Sequence, residues 1–596
     1  MLYELIIFFL FLSYPKNNPY TFLNMKFSIT FSVTLLLSNF LQAQSPSVTV
    51  IKNINVIDVK KGKVQNNMSV IIKGELITDI VPTRRLETDG TTVVIDGSGK
   101  YLMPGMTDAH IHFFQSGGLF TRPDGFDFTS VRPYDKERQE GFNNTEDYLR
   151  RYLRCGITTV ADMGGPLSNF KIRDSIARTF NGPDVLVTGS LFSNVSNPKL
   201  DLTDPIVVKT VTKEDADLLL DKLLEKKPDY IKVWYIITPD FPAEKGFEVV
   251  KHIAERTHKA GLKLAVHATE AKTAELAVDA GADILVHSVD DQVFSDQFTK
   301  KLVTKKVSYI PTLIVSSNWY KSGLGKLDNH PHELRWSNPF IYSSTLEPLW
   351  IPEDKWPANF KGLRSSGMVR SSKTTDSIMA VNLKKVFSSG VNVVTGTDAG
   401  NPGTMHASSY FKELEAMKRA GLSNAEIIRA ATLNASTLFN NNKGLVEKGK
   451  TADLLLLTKN PLEQLDNLNT IEIVVKSGRT IPADSIVKET PEMLVQRQVV
   501  AYNAGNIDAF LDTYSDEIEL FNFPDSLMAK GKDAMRKIYE PLFKNPGFKP
   551  VQIVNRITLA NKIMDHESLV YNGKKINAIA VYEVKDGKIT RVTFIR

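Results

Sequence analysis

Sulfur chemistry is nearly absent from this chain: 596 residues contain one cysteine, Cys155. A single thiol excludes an internal disulfide framework and any cysteine-based zinc site. Blocks of one charge are missing as well. Lys+Arg number 73 and Asp+Glu 67, a net +6 with no dense basic run, so nucleic acid is not implied as a partner. Repeats and low-complexity tracts are lacking, and the apolar runs are short for a bilayer span. The two N-terminal runs are short: residues 5–12, then 27–40 following Met25-Lys26. A basic start, a brief apolar stretch and a small residue at Ala43 describe a secretory signal peptide. The expectation is translation from Met25 and cleavage after Ala43, which makes residues 1–24 a start-site artefact. The mature protein is then periplasmic or secreted, with no stable membrane anchor. The alternative is an N-terminal membrane hairpin.

What is present is a change of texture along the chain. The length calls for several domains, and the 42% hydrophobic and 23% charged fractions are those of a globular protein. Short apolar runs separated by Lys-Gly-Lys and Lys-Gly-Glu fill residues 45–100, predicting a small β unit. Residues 101–445 instead alternate apolar runs with amphipathic helices. The unit is helix, glycine, strand. It ends at Gly156, Gly261, Gly281 and Gly390, with strands entering Ile157, Lys263, Ile284 and Val391. Such grammar predicts parallel βα units, enough of them for an eight-stranded barrel. Strands return between 446 and 486 and are expected to complete the first β unit as a sandwich, with the barrel inserted. Residues 490–596 form a separate α+β segment, opening with helix Pro491–Asn503.

The chemistry-bearing residues sit at strand ends. His110 and His112 close the run that begins at Tyr101, and residues i and i+2 of a strand share a face. Two neutral imidazoles there make half of a metal site, although an isolated pair also fits an ordinary turn. Lys232, His267, His287 and Asp398 close four further apolar runs. Taken singly, Asp398 reads equally as a cap and Lys232 as a snorkelling side chain. All six share one position in the βα unit, where barrel enzymes keep their functional groups. His252 and His258 do not share it and fall on a helix; His330 and His332 fall in a proline-containing loop. A lysine between Ile231 and Val233 loses proton affinity on burial. Its neutral amine can then take up carbon dioxide and become a carbamate, an anion able to bridge two metals.

These residues lie in motifs that resemble the amidohydrolase superfamily. They are Leu102-Met-Pro-Gly-Met-Thr-Asp-Ala-His-Ile-His112, Thr158-Thr-Val-Ala-Asp-Met-Gly-Gly165, Ile231-Lys-Val, Val266-His, Val286-His-Ser and Gly396-Thr-Asp-Ala-Gly400. Ala431-Thr-Leu-Asn-Ala and Gly449-Lys-Thr-Ala-Asp-Leu-Leu-Leu-Leu follow. Within the superfamily the chain is similar to imidazolonepropionase-related enzymes and Xaa-Pro dipeptidases. The resemblance implies that His110, His112 and Asp398 bind the more buried ion, that His267 and His287 bind a second, and that a carboxylated Lys232 bridges them. Imidazolonepropionase holds one metal without such a lysine, so Lys232 favours two. Nitrogen and oxygen ligands suit Zn²⁺, with Mn²⁺ and Fe²⁺ as alternatives.

The expected reaction is hydrolysis of a carbon–nitrogen bond by metal-activated hydroxide, with Asp398 shuttling the proton to the leaving nitrogen. The expected partner is a small-molecule amide: a dipeptide, an N-acyl amino acid or a cyclic amide. Association into a homo-oligomer is left open. Relatives usually follow the bridging lysine with small residues, whereas this chain has Trp234-Tyr235. Tyr235 and His406 are the candidate substrate contacts. The long stretch 113–142, with Arg122, Asp124, Asp127 and Arg132, and the stretch 317–373 are expected to shape the pocket. Residues 490–596 resemble the SnoaL-like family of cone-shaped folds, on Tyr502-Asn-Ala-Gly-Asn-Ile-Asp and Val581-Tyr-Glu-Val-Lys-Asp-Gly among other segments. Tyr514, Asp565, His566 and Glu567 are candidates to line its interior. The competing reading is an inactive barrel scaffold, with ligand binding or isomerase chemistry in the cone.

Overall fold

A computed structural model describes residues 48–86, 92–239, 241–366, 369–571 and 574–596. The expected signal segment lies outside the described residues. No described helix is long and apolar enough to cross a membrane.

The barrel follows from the predicted grammar. Its strands are Met106–Ile111, Ile157–Asp162, Asp184–Val187, Ile231–Trp234, Leu264–His267, Ile284–Val286, Ser308–Ile310 and Asn392–Val393. Neighbours pair in parallel. Two seams lie between these ladders. At one, Asp229 N–H donates to the Val187 carbonyl at 2.9 Å. At the other, Asp398 N–H donates to the His110 carbonyl at 2.7 Å and His112 N–H to Ala399 at 2.8 Å. The first and last strands are therefore stitched together at the residues singled out for chemistry. The first two strands are buried throughout, as both faces of a barrel sheet are covered.

One sheet of eight strands stands beside the barrel, built from residues on both sides of it in sequence. Residues from both parts, among them Ile51, Val70, Ile77, Leu454 and Val475, form a single apolar cluster. The run starting at Tyr101 is not one strand. Tyr101–Pro104 pairs antiparallel with Leu454–Leu457 in this sheet, and Met106–Ile111 enters the barrel. The break falls at Pro104-Gly105, where proline removes a ladder donor.

The stretch after the seventh barrel strand is helical rather than a loop. It contains Val315–Leu324, Pro331–Trp336, Pro339–Ser344 and Ala358–Ser366. His330 and His332 thus belong to a short helix start, with His330 Nδ1 accepting from the His332 N–H at 3.2 Å. Residues 491–595 form a six-stranded sheet with three helices, the first being Pro491–Asn503 as predicted. That helix packs on Pro331–Trp336 and Pro339–Ser344. Arg335 pairs with Asp512, which also takes Arg497 at 2.9 Å. On the opposite side Arg151 donates to the Trp336 and Ser337 carbonyls at 3.1 and 2.9 Å, and Arg154 lies over the Trp336 ring at 4.0 Å. Residues 331–344 are held between helix Thr145–Arg154 of the barrel and the C-terminal domain.

Candidate metal centre

The six strand-end residues line one cavity of about 380 Å³ at the C-terminal ends of the barrel strands. His110 Nε2 and His112 Nε2 lie 3.2 Å apart. Asp398 Oδ1 faces both, at 3.4 and 3.2 Å, and Oδ2 is 3.9 Å from His287 Nδ1. One ligand atom from each of His110, His112 and Asp398 falls within 4.8 Å of the others. The His287 ring centroid is 4.8 Å from that of His110 and 4.4 Å from that of His267.

Local structure fixes how these groups point. Nδ1 of His112 donates to the Gly164 carbonyl at 2.8 Å, so the Nε2 lone pair is the one turned to the cavity. His287 Nδ1 bonds Thr312 Oγ1 at 2.8 Å. Asp108, which accepts from Thr397 Oγ1 at 2.7 Å and its N–H at 3.0 Å, ties the first strand to the segment carrying Asp398. Burial pushes the Asp108 carboxyl up to about 7. Gly396 lets the two segments approach: a Cβ there would lie 2.5 Å from Ile310 Cγ2 and 3.0 Å from the His110 nitrogen. His287, Thr312 and Asp398 hold φ values of 77°, 45° and 59°. Left-handed backbone is unfavourable for such residues, and strain of this kind concentrates where a site is over-determined.

Electrostatics suits cations from outside. Burial, then the neighbouring Lys232 charge, lowers the proton affinity of His110 and His267 well below the usual histidine range, and burial followed by His267 does so for His287. Neutral imidazoles offer lone pairs. Lys232 is 2% exposed, and burial brings its amine down to about 7 against the pull of Asp398. Nζ of Lys232, Nδ1 of His110 and Oδ1 of Asp398 are buried without a hydrogen-bond partner. Polar atoms left unpaired this deeply are costly. Their donor types and convergence fit divalent metal ions.

A comparison with family models places residues 101–481 in the amidohydrolase family. This chain belongs to that family. Residues 495–592 match the SnoaL-like domain. Among curated amidohydrolase relatives, the enamidase of Eubacterium barkeri is 25% identical over 225 residues, 37% of this chain and 50% of that protein. The imidazolonepropionase of Alkaliphilus metalliredigens is 24% identical over 316 residues, 48% of this chain and 71% of the relative. The chain thus spans half the length of the enamidase. The crystal structure of a Xaa-Pro dipeptidase with bound methionine superposes with a TM-score of 0.55 at 20% identity, over 73% of this chain and all of that one. That likeness is one of fold.

Tyr235 and His406 do not reach the amidohydrolase cavity. Lys232 and Trp234 line it. Tyr235, one residue further, alternates outward and donates to the Ala243 carbonyl, packing where a Gly246 Cβ would stand 2.8 Å from its ring. His406 is stacked between Phe113 and Tyr148. Its Nε2 donates to the Gln115 carbonyl at 2.8 Å, and its Nδ1 meets the Tyr152 hydroxyl at 3.0 Å. Both are packing residues. The cavity wall instead contains Arg122, Asp290, Trp319, Tyr320 and Asn401. Of these only Arg122 stood out in sequence, as a charge in a long segment. Buried Asp162 closes the second strand with Oδ1 4.0 Å from His112 Nδ1, and burial raises it to about 6. In the SnoaL-like domain Asp565 is tied to Arg556 at 2.6 and 2.7 Å. Glu567 accepts from Tyr582 at 2.8 Å, Tyr514 is buried in the core, and exposed His566 faces the other side of the sheet.

Proposed function

We propose that this amidohydrolase is a binuclear metal-dependent hydrolase that breaks a carbon–nitrogen bond in a small amide. The observation supporting it is the convergence of three neutral imidazoles, His112, a dry amine and a carboxylate on one cavity, with polar atoms facing each other. His110, His112 and Asp398 would hold one ion and His267 and His287 the second, Zn²⁺ being the first choice for nitrogen and oxygen donors. Lys232 would bridge them as a carbamate: its amine lone pair adds to the carbon of carbon dioxide and one proton leaves. When bound, the ions supply Lewis acidity, lowering the pKa of water and polarising a carbonyl oxygen.

The chain's own residues do the rest. His112, with its tautomer set by the Gly164 carbonyl, and His287, anchored by Thr312 Oγ1, keep their rings in place without reorganisation. The Asp398 carboxylate accepts the proton of the attacking water and returns it to the leaving nitrogen as the carbon–nitrogen bond breaks. Trp234, Trp319 and Met379 supply apolar wall to the cavity. Elemental analysis and a screen of dipeptides, N-acyl amino acids and lactams test the reading. About two ions per chain with turnover of at least one class is expected; a protein that binds no divalent ion and cleaves none overturns it. We also infer export through the segment ending at Ala43; an intact Met1 on secreted material would refute that.

A further inference from the structure

Arg122 is the cation built into the cavity wall. Its side chain is 15% exposed, and guanidinium stays protonated throughout the physiological range. Burying such a charge is costly unless it is paired. Four segments hold it. Nε and Nη2 donate to Asp124 Oδ1 and Oδ2 at 2.7 and 2.6 Å, and Asn197 Nδ2 holds Asp124 in turn at 2.9 Å. Nη1 donates to Asn401 Oδ1 at 2.9 Å, and the Trp319 ring lies 5.2 Å from the guanidinium carbon. Asn401 Nδ2 also donates to the Asp398 carbonyl at 3.1 Å. One side chain thus spans from Arg122 to the residue assigned to proton transfer.

A guanidinium has five N–H bonds, and these contacts use three. One N–H remains on each Nη for the oxygens of an anion. Leu191, Leu200, Ile206 and Trp234 give the same cavity apolar wall, and charge-assisted contacts strengthen as the local dielectric falls.

We infer that Arg122 is a specificity-determining residue that receives a free carboxylate of the substrate, selecting N-acyl amino acids or dipeptides over uncharged cyclic amides. For the reaction, this rests on the hydrolase reading above; the contact itself stands on the Arg122 geometry. Asp124 and Asn401 act as positioning residues, holding the guanidinium and tying it to the Asp398 backbone.

The test uses full-length, metal-loaded protein and a series of N-acetyl amino acids with apolar side chains, each paired with the N-acetylamine lacking only the carboxylate. The wild type is expected to favour the carboxylate member by about 10- to 100-fold in kcat/KM, mostly through KM. Arg122→Met should bring the ratio close to one, and Arg122→Lys should restore part of it. A role confined to knitting loops together would lower both members alike and leave the ratio intact, which overturns the inference, as does a wild-type ratio near one. Calorimetric binding of 3-phenylpropionate against 3-phenylpropionamide is read in parallel. If no substrate is cleaved, the hydrolase reading falls, and equal affinity for the two probes then removes the Arg122 contact independently.

Discussion

Replacing Lys232 with methionine is expected to stabilise the metal-free protein while abolishing its metal chemistry. The amine is 2% exposed and has no hydrogen-bond partner. Burial takes its pKa from 10.5 to about 7. At ~1.4 kcal/mol per tenfold change in proton affinity, that fall has a ceiling of ~5 kcal/mol. Local relaxation and water entry reduce it, and about 2 to 4 kcal/mol is the working expectation at neutral pH. The sign follows from proton uptake. Between about 7 and 10.5 the unfolded chain holds the proton and the folded chain does not, so wild-type stability rises with pH across that window. Methionine matches lysine's stem without the charge, so Lys232→Met lacks this slope and starts from higher stability. Urea denaturation of both proteins, stripped of metal in bicarbonate-free buffer near pH 7 and near pH 10, reads the difference. Coincident midpoints near pH 7, or a gap that does not narrow with pH, would show that the amine is not held in a dry site. The same variant should retain fewer ions per chain by elemental analysis; full occupancy would refute the bridging role.

Asp398→Asn should keep a near-wild-type melting profile and lose about 10²- to 10⁴-fold in kcat; wild-type turnover by a metal-loaded variant would remove Asp398 from proton transfer. Glu413 accepts from the Leu313 and Ile314 N–H groups at 2.9 and 3.1 Å, and burial raises it from 4.5 to about 8. The folded chain then binds the proton more tightly, so stability is lost as pH climbs through that interval. Glu413→Gln should remove this loss, and equal declines for both proteins between pH 6 and 9 would contradict it. Gly396→Ala should cost about 1–3 kcal/mol by overpacking against Ile310 and His110, with metal retention falling alongside; unchanged melting and metal content would refute the close-approach argument.

Much of this architecture was legible because period and position are local properties. The helix–glycine–strand grammar located barrel strands, and the strand-end position picked out His110, His112, Lys232, His267, His287 and Asp398, all of which line the cavity. Alternation also accounts for Tyr235: if Lys232 points inward, so does Trp234, and Tyr235 points away. His406 gave no such signal, since its stacking partners Phe113 and Tyr148 lie far off in sequence. The left-handed backbone at His287, Thr312 and Asp398 was illegible, because residues that disfavour it are forced there by tertiary contacts. The role of Arg122 depends on Asn197, Trp319 and Asn401 meeting from three other segments, a juxtaposition no periodicity encodes. The strand break at Pro104-Gly105 was visible in composition and was overridden by the continuous apolar run on either side.

Residues 315–366 are gripped on one flank by Arg151 and Arg154 and on the other by the SnoaL-like domain through Arg335–Asp512. The same segment lends Trp319 and Tyr320 to the cavity. One segment thus joins the wall of the cavity to a domain that lends the cavity no described residue of its own. The wall that Trp319 and Tyr320 form is therefore braced from two directions, by the barrel helix and by the C-terminal domain.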